Sequence, residues 1–287
     1  MILVTGATGT VGQHVVRELA ARGEKPRVVL RDPGKASQLK GLISEAVQGD
    51  FDRPETMAQA LRGAEKAFLL TATNQRQADW EKAFIDAAKA AGVKALVYLS
   101  AAGVAPDSPM SLGRMHAQVE AYLKASGVPW TILEPLAFMQ NFLGDVATIR
   151  SQGVIYAPAN EAKVSFIDAR DIGAAAAIVL TSGDHAGKTY VLTGPEPVSY
   201  REVAGLIGKA IGKPVKYVTV PEADAKKSMV AAGMPEWFAD DLIALQRTFK
   251  AGRGAVVTTH LAQLLPDVPR TFDDFAKDYA QQLGRAA

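Results

Sequence analysis

Val4-Thr5-Gly6-Ala7-Thr8-Gly9-Thr10-Val11-Gly12 sets three glycines three residues apart, between an apolar run, Met1–Val4, and a helical stretch, Val11–Ala21. Gly6 permits a tight turn, Gly9 lets an incoming pyrophosphate approach the backbone, and Gly12 lets the helix lie close against the strand. Backbone N–H groups freed at the helix start then face an anion, and the helix dipole favours negative charge there. Thr8 and Thr10 add hydroxyl donors. A glycine-rich turn without a ligand has the same letters. What points to a dinucleotide is its place after the first strand and before the first helix of a βα series.

Outward from this turn the series continues. Short strand-like runs fall at Ile2–Thr5, Arg27–Leu30, Ala46–Gln48, Ala67–Thr71, Ala95–Leu99 and Trp130–Leu133. Helical stretches alternate with them at Val11–Ala21, Pro54–Leu61, Asp79–Ala91 and His116–Ser126. Alternating β and α units predict an α/β fold, a Rossmann-type doubly wound parallel sheet with helices on both faces. Past residue 135 the rhythm loosens: a helix near Phe138–Ser151, a strand before Asp168, a helix over Arg170–Leu180 and a helix over Tyr200–Ile211 between strands at Thr189–Leu192 and Val215–Val220. Ala223–Ala232, Pro235–Phe249 and Arg270–Leu283 also read as helical, and Asp171 is the expected cap of the helix at 170. The division expected is a dinucleotide-binding domain over 1–135 and a smaller C-terminal α/β lobe over 136–287. The lobe is interleaved with the first domain, without a flexible linker.

The residue after the second strand distinguishes the two common dinucleotides. An acidic side chain there accepts the ribose 2′-hydroxyl. This chain instead reads Leu30-Arg31-Asp32-Pro33-Gly34-Lys35. A guanidinium at Arg31 clamps a 2′-phosphate, with Lys35 close behind, which favours NADP(H) over NAD(H). The other reading of Arg31 is a solvated pair with Asp32. After the third strand Asp50 and Phe51 follow Gly49; Asp50 can accept from an adenine amino group or hold an Asx turn. Thr71, Ala72 and Thr73 end the fourth strand beside the expected cofactor path.

Together these motifs resemble the NmrA-like branch of the atypical short-chain dehydrogenase/reductases, with dye- and quinone-reducing bacterial members the most similar. Thr5–Gly12, Gly49-Asp50, Ala91–Lys94, Gly127–Leu133, Phe166–Ile172 and Lys188–Tyr190 carry the resemblance, which covers nearly the whole chain. It implies an NAD(P)H-dependent oxidoreductase. Most short-chain dehydrogenases use Tyr-x-x-x-Lys, yet alignment on Glu120 puts Leu112 at the Tyr position and His116 at the Lys position. An alkoxide forming without an acid is poorly stabilised, whereas acceptors whose reduced charge is delocalised need that acid less.

The catalytic candidates are therefore His116, as ribose holder or proton donor, Ser100 at the end of the fifth strand, and Asn141. Ser100 and His116 also count toward the cofactor, as do Pro135 and Phe138, because related folds place the nicotinamide carboxamide after the sixth strand. Phe138, Asn141 and Phe142, with Trp237 and Phe249 as a lid, are the candidate walls for a flat or aromatic acceptor; for the aromatic residues ordinary core packing is the other reading. Asn141 is chosen because a polar group on an apolar face needs a partner.

Composition narrows the rest. The chain has 287 residues, 32 basic and 30 acidic, for a net charge of +2, which argues against a nucleic-acid binder. Zero Cys excludes thiolate metal sites, disulfides and cysteine nucleophiles. The four His have no metal-site spacing, so no metal is expected, and no GxSxG elbow marks a hydrolase. No leader segment is read at the start, and the longest apolar stretch, Ile172–Leu180, is about half the ~20 residues of a membrane span. A cytoplasmic monomer or homodimer is expected, acting as an NADPH-dependent reductase of an aromatic or activated acceptor (quinone, dye, enone or imine). Two alternatives stand beside it: an NADP(H)-binding redox sensor with little catalysis, and a ketone reductase with a non-standard proton donor.

Overall fold

Side chains along the strands of the N-terminal half alternate between two apolar layers. In β1 (Ile2–Val4), Ile2 and Val4 join one core and Leu3 the other. α1 (Gly12–Ala21) leads to β2 (Arg27–Leu30), where Val28 and Leu30 oppose Val29, and then to β3 (Glu45–Gln48). α2 (Pro54–Ala60), β4 (Lys66–Leu69), α3 (Gln77–Ala90), β5 (Ala95–Leu99), α4 (Ser111–Ser126) and β6 (Trp130–Pro135) continue the alternation. Strands that are apolar on both faces must be covered on both, which is the condition for a parallel sheet between helical layers.

The computed structural model describes residues 1–284, so the last three residues of the lobe expected over 136–287 lie outside the described residues. After β6 come a 3₁₀ stretch (Met139–Asp145), α5 (Val146–Gln152), β7 (Val154–Ala157), β8 (Lys163–Val164), α6 (Ala169–Thr181) and β9 (Lys188–Leu192). β10 (Val198–Ser199), α7 (Tyr200–Ile211), β11 (Lys216–Thr219), α8 (Glu222–Ala231), α9 (Glu236–Lys250), α10 (His260–Leu264), α11 (Phe272–Asp278) and α12 (Ala280–Leu283) complete the chain.

The main sheet is parallel, in the order β3-β2-β1-β4-β5-β6-β9. Its order reverses between β1 and β4, where an open α/β sheet leaves a crevice at the carboxyl ends of its strands. α1 and α6 share the core of one face; α2, α3 and α4 cover the other. The seventh strand comes from beyond residue 135, and with α6 it ties the C-terminal half into the sheet. β7 and β11 pair in a separate two-stranded sheet. The lobe has its own aromatic core: Phe142 packs edge-on against Phe166 and Phe272, with ring centroids 5.1 and 5.2 Å apart.

Three local expectations are corrected. The segment after Phe138 begins as a 3₁₀ stretch, because Phe138 is extended and bridges to Ile167. α4 begins five residues earlier than expected, capped from outside by Asp241. Asp168, not Asp171, caps α6: its Oδ1 accepts from Arg170 N at 2.8 Å, while Asp171 accepts from the backbone N–H of Arg270.

Candidate active site

The crevice is a cleft of about 650 Å³ that crosses the reversal of strand order. Gly6, Ala7, Thr8, Gly9, Thr10 and Val11 form its floor beside β1. Gly6 takes φ +63°, a left-handed conformation that suits glycine, and its carbonyl accepts from Gly9 N at 2.9 Å. Gly12 lies beneath this floor rather than on it, and a Cβ there would stand 2.1 Å from Gly6 O. The backbone N–H groups of Thr10, Val11 and Gly12 meet no acceptor among the described residues, as expected of a helix start facing a ligand.

Arg31 lines the β2–β3 side with Gly49, Asp50, Phe51 and Asp52. It is exposed, and no carboxylate pairs with it among the described residues. Asp32 is instead turned to its own backbone, accepting from Gly34 N at 2.9 Å, so the Arg31–Asp32 pair does not form. Asp50 holds an Asx turn, with Oδ1 accepting from Asp52 N at 3.0 Å. Phe51 stacks against Trp80 at 6.2 Å, and Trp80 lines the cleft while its indole N–H donates to Asp52 at 3.1 Å.

Across the reversal, Thr71, Ala72 and Thr73 follow β4, Ser100 follows β5, Leu112 and His116 come from α4, and Phe138 closes the end beyond β6. Ser100 is committed as a donor: its hydroxyl donates to Glu120 Oε1 at 2.6 Å. His116 Nδ1 pairs with the Tyr98 hydroxyl at 2.6 Å. Burial lowers the His116 pKa to about 4, which keeps the imidazole neutral near pH 7.

Several expected residues are elsewhere. Phe142 and Phe249 are 3% and 2% exposed and belong to the lobe core; their helical spacing serves packing. Asn141 is exposed, because the 3₁₀ turn carries its neighbour Gln140 inward. Gln140 Nε2 donates to Asp168 Oδ1 at 2.9 Å, and its Oε1 accepts from Ala169 N at 2.9 Å. Trp237 packs on Phe238 on α9, away from the cleft walls, Lys35 is exposed on the 3₁₀ stretch after Asp32, and Pro135 is buried in β6 behind the lining. Gln77, Trp80, Tyr98 and Glu81 were not read from the sequence. Glu81 and Trp80 nevertheless follow the spacing of Gln77, Phe84 and Ala88 on α3, and that periodicity marks an inward face.

Asp241 on α9 holds the start of α4. Its Oδ1 accepts from Ser111 N at 2.8 Å, and Oδ2 accepts from Leu112 N at 2.8 Å and Ser111 Oγ at 2.7 Å. Asp241→Ala is expected to destabilise the fold by about 2 kcal/mol in denaturant melts, since a cap and a buried acceptor are lost together. Asp241→Asn, which keeps one acceptor, loses less.

A second carboxylate contributes to pH dependence. Burial, then the neighbouring Glu120, pushes the Glu134 pKa up to about 7, against the pull of Lys124. Folding therefore disfavours the ionised form, so stability declines as pH rises from about 4.5 through about 7. Glu134→Gln is expected to raise the melting temperature at pH 8 and leave it nearly unchanged at pH 5. An equal change at both pH values refutes this.

Among the described residues no group of three His, Asp or Glu gathers as a metal site. No helix there is long and apolar enough to cross a membrane.

The NAD(P)H azoreductase of Xenophilus azovorans is 39% identical over 286 residues, all of both chains. The structure of an NADPH-dependent quinone oxidoreductase from Escherichia coli, complexed with NADPH, superposes with a TM-score of 0.86 at 29% identity, covering 97% of this chain and 99% of that one. The triphenylmethane reductase of Citrobacter sp. superposes with a TM-score of 0.85 at 26% identity, covering 98% and 99%. With the NmrA-like family model matching residues 1–276, the chain belongs to the NmrA-like family.

Proposed function

We propose that the protein is an NADPH-dependent reductase that passes hydride to a flat aromatic acceptor: a quinone, an azo compound or a cationic dye. The carrying observation is the cleft itself, with an anion cradle in one half and, in the other, apolar Leu112 and Phe138 beside a neutral His116.

The residues present fit a phosphorylated dinucleotide. The N–H groups at the start of α1 would hold the pyrophosphate, and the guanidinium of Arg31, like them without a partner among the described residues, would take the 2′-phosphate. Phe51 and Trp80 would flank the adenine. The bound cofactor supplies the hydride. The chain's own part is to hold the acceptor in the apolar end, to limit water there, and to bring a proton where the acceptor needs one. Leu112 offers no proton, so an acceptor that needs one must take it from another group in the cleft. The similarity to an azoreductase, a quinone oxidoreductase and a dye reductase supports this choice of acceptors. The protein acts in the cytoplasm, as a monomer or homodimer, on small molecules.

The test is a consumption assay with NADPH and NADH across quinones, azo and triphenylmethane dyes, enones, imines and aliphatic ketones. NADPH oxidation with the aromatic acceptors supports the reading; binding of NADPH without oxidation by any of them favours a sensor.

A further inference from the structure

Beneath the acceptor end of the cleft lies a chain of three titratable side chains from three elements. Tyr98 on β5 faces the α3–α4 layer and is fully buried. Its hydroxyl stands 2.8 Å from Glu81 Oε2 on α3 and 2.6 Å from His116 Nδ1 on α4. The other oxygen of Glu81 accepts from Thr71 Oγ1 at 2.7 Å and Gln77 Nε2 at 3.1 Å. His116, Thr71 and Gln77 all line the cleft, whereas Glu81 is 1% exposed. No partner among the described residues meets His116 Nε2.

We propose that Glu81, Tyr98 and His116 form a proton relay, which presents a proton at His116 Nε2 to acceptors that need one after hydride transfer. The inference rests on the reductase reading above.

The hydrogen-bond directions follow from the protonation of Glu81. A protonated Glu81 donates to the Tyr98 oxygen, Tyr98 donates to Nδ1, and the imidazole proton sits on Nε2, facing the cleft. An ionised Glu81 accepts from Tyr98, Nδ1–H donates to Tyr98, and Nε2 is an acceptor. One carboxyl proton thus sets which tautomer the cleft meets.

The step balances. For an azo acceptor, hydride from NADPH forms one N–H bond and leaves an electron pair on the second nitrogen. The Nε2 proton forms the second N–H bond, the Tyr98 proton moves to Nδ1, and the Glu81 proton moves to Tyr98. Glu81 is left as carboxylate; the relay resets when cleft water protonates Nε2, Nδ1–H returns its proton to Tyr98, and Tyr98 returns one to Glu81. The sum is NADPH, one proton and the azo compound giving NADP⁺ and the hydrazo compound. A cationic triphenylmethane dye takes hydride alone and becomes neutral, so the relay has nothing to deliver.

Burial raises the Glu81 pKa to about 7, against the hydrogen bonds from Thr71, Tyr98 and Gln77, so the acid is available near neutrality and lost above it. The charged or titratable groups facing the chain are Tyr98 from β5 and His116 and Glu120 from α4, with Glu134 on β6 and Lys124 on α4 beyond Glu120.

The test compares turnover of a neutral azo dye with that of a cationic triphenylmethane dye, in wild type, Tyr98→Phe and Glu81→Gln, at saturating NADPH. Both replacements keep side-chain volume, and NADPH affinity reports folding. The azo-to-cationic-dye ratio is expected to fall about 100-fold or more in each variant, the scale of a lost general acid. In wild type, azo turnover falls as pH rises through about 7; in Glu81→Gln that inflection is absent. Loss of both activities by the same factor, or an inflection retained in Glu81→Gln, overturns the relay and leaves the reductase reading intact. A wild-type protein that reduces neither dye overturns the reductase reading, and the relay with it.

Discussion

Gly12→Ala is expected to lose both stability and NADPH binding, and Gly9→Ala only binding. A Cβ at position 12 would stand 2.1 Å from Gly6 O, 2.6 Å from Gly6 C and 3.0 Å from Ala7 Cα. All three are backbone atoms, so no side chain can rotate away. α1 must move instead, and its other side is already tight: a Cβ at Gly173 on α6 would come within 2.5 Å of His14 Cβ. The strain is expected to cost about 3 kcal/mol, the upper part of the range for overpacking, which lowers the melting temperature by about 6–12 °C. NADPH affinity falls at least about tenfold, because the N–H groups of Thr10 and Val11 ride on the displaced helix. At Gly9 a Cβ meets only Gly6 O, at 3.2 Å, so the fold survives while a methyl group is added to the cleft floor. Thermal melts and NADPH titrations on the two variants check the split. Equal destabilisation by both would refute it.

Arg31→Ala is expected to convert a preference for NADPH into near indifference. Arg31 lines the cleft, and no carboxylate among the described residues pairs with it, so its guanidinium can meet a phosphate. Loss of a bidentate, charge-assisted contact at an exposed site is worth roughly 2 kcal/mol, about 30-fold in NADPH affinity. NADH, which lacks the 2′-phosphate, should change by less than about threefold. Lys35→Ala serves as the comparison, since Lys35 is exposed outside the cleft lining. A fall in affinity there to match Arg31→Ala would move the phosphate site to the 3₁₀ stretch.

The parts of the cleft legible in the sequence are those set by backbone conformation and chain order. The Gly6-Gly9-Gly12 spacing is a local requirement of one turn, and β2 and β5 end where their apolar runs end, which places Arg31 and Ser100 at the carboxyl edge. Less legible was anything settled by packing between distant elements. Spacing alone leaves Phe142 and Phe249 readable as wall or as core, and the lobe core takes them. Asn141 and Gln140 exchange roles because a 3₁₀ turn rotates the chain differently from an α-helix. The early start of α4 depends on Asp241, 130 residues away in sequence. Tyr98 reads as an ordinary strand residue until α3 and α4 bring Glu81 and His116 to its hydroxyl. Glu81 alone left a trace, a carboxylate on the apolar stripe of its helix.

The most direct measurement of the central claim is anaerobic mixing of the purified protein with NADPH and an azo or quinone acceptor, following absorbance of both. Stoichiometric loss of NADPH and acceptor is expected, faster with NADPH than with NADH. Tight NADPH binding with no acceptor-dependent oxidation across the panel would contradict it.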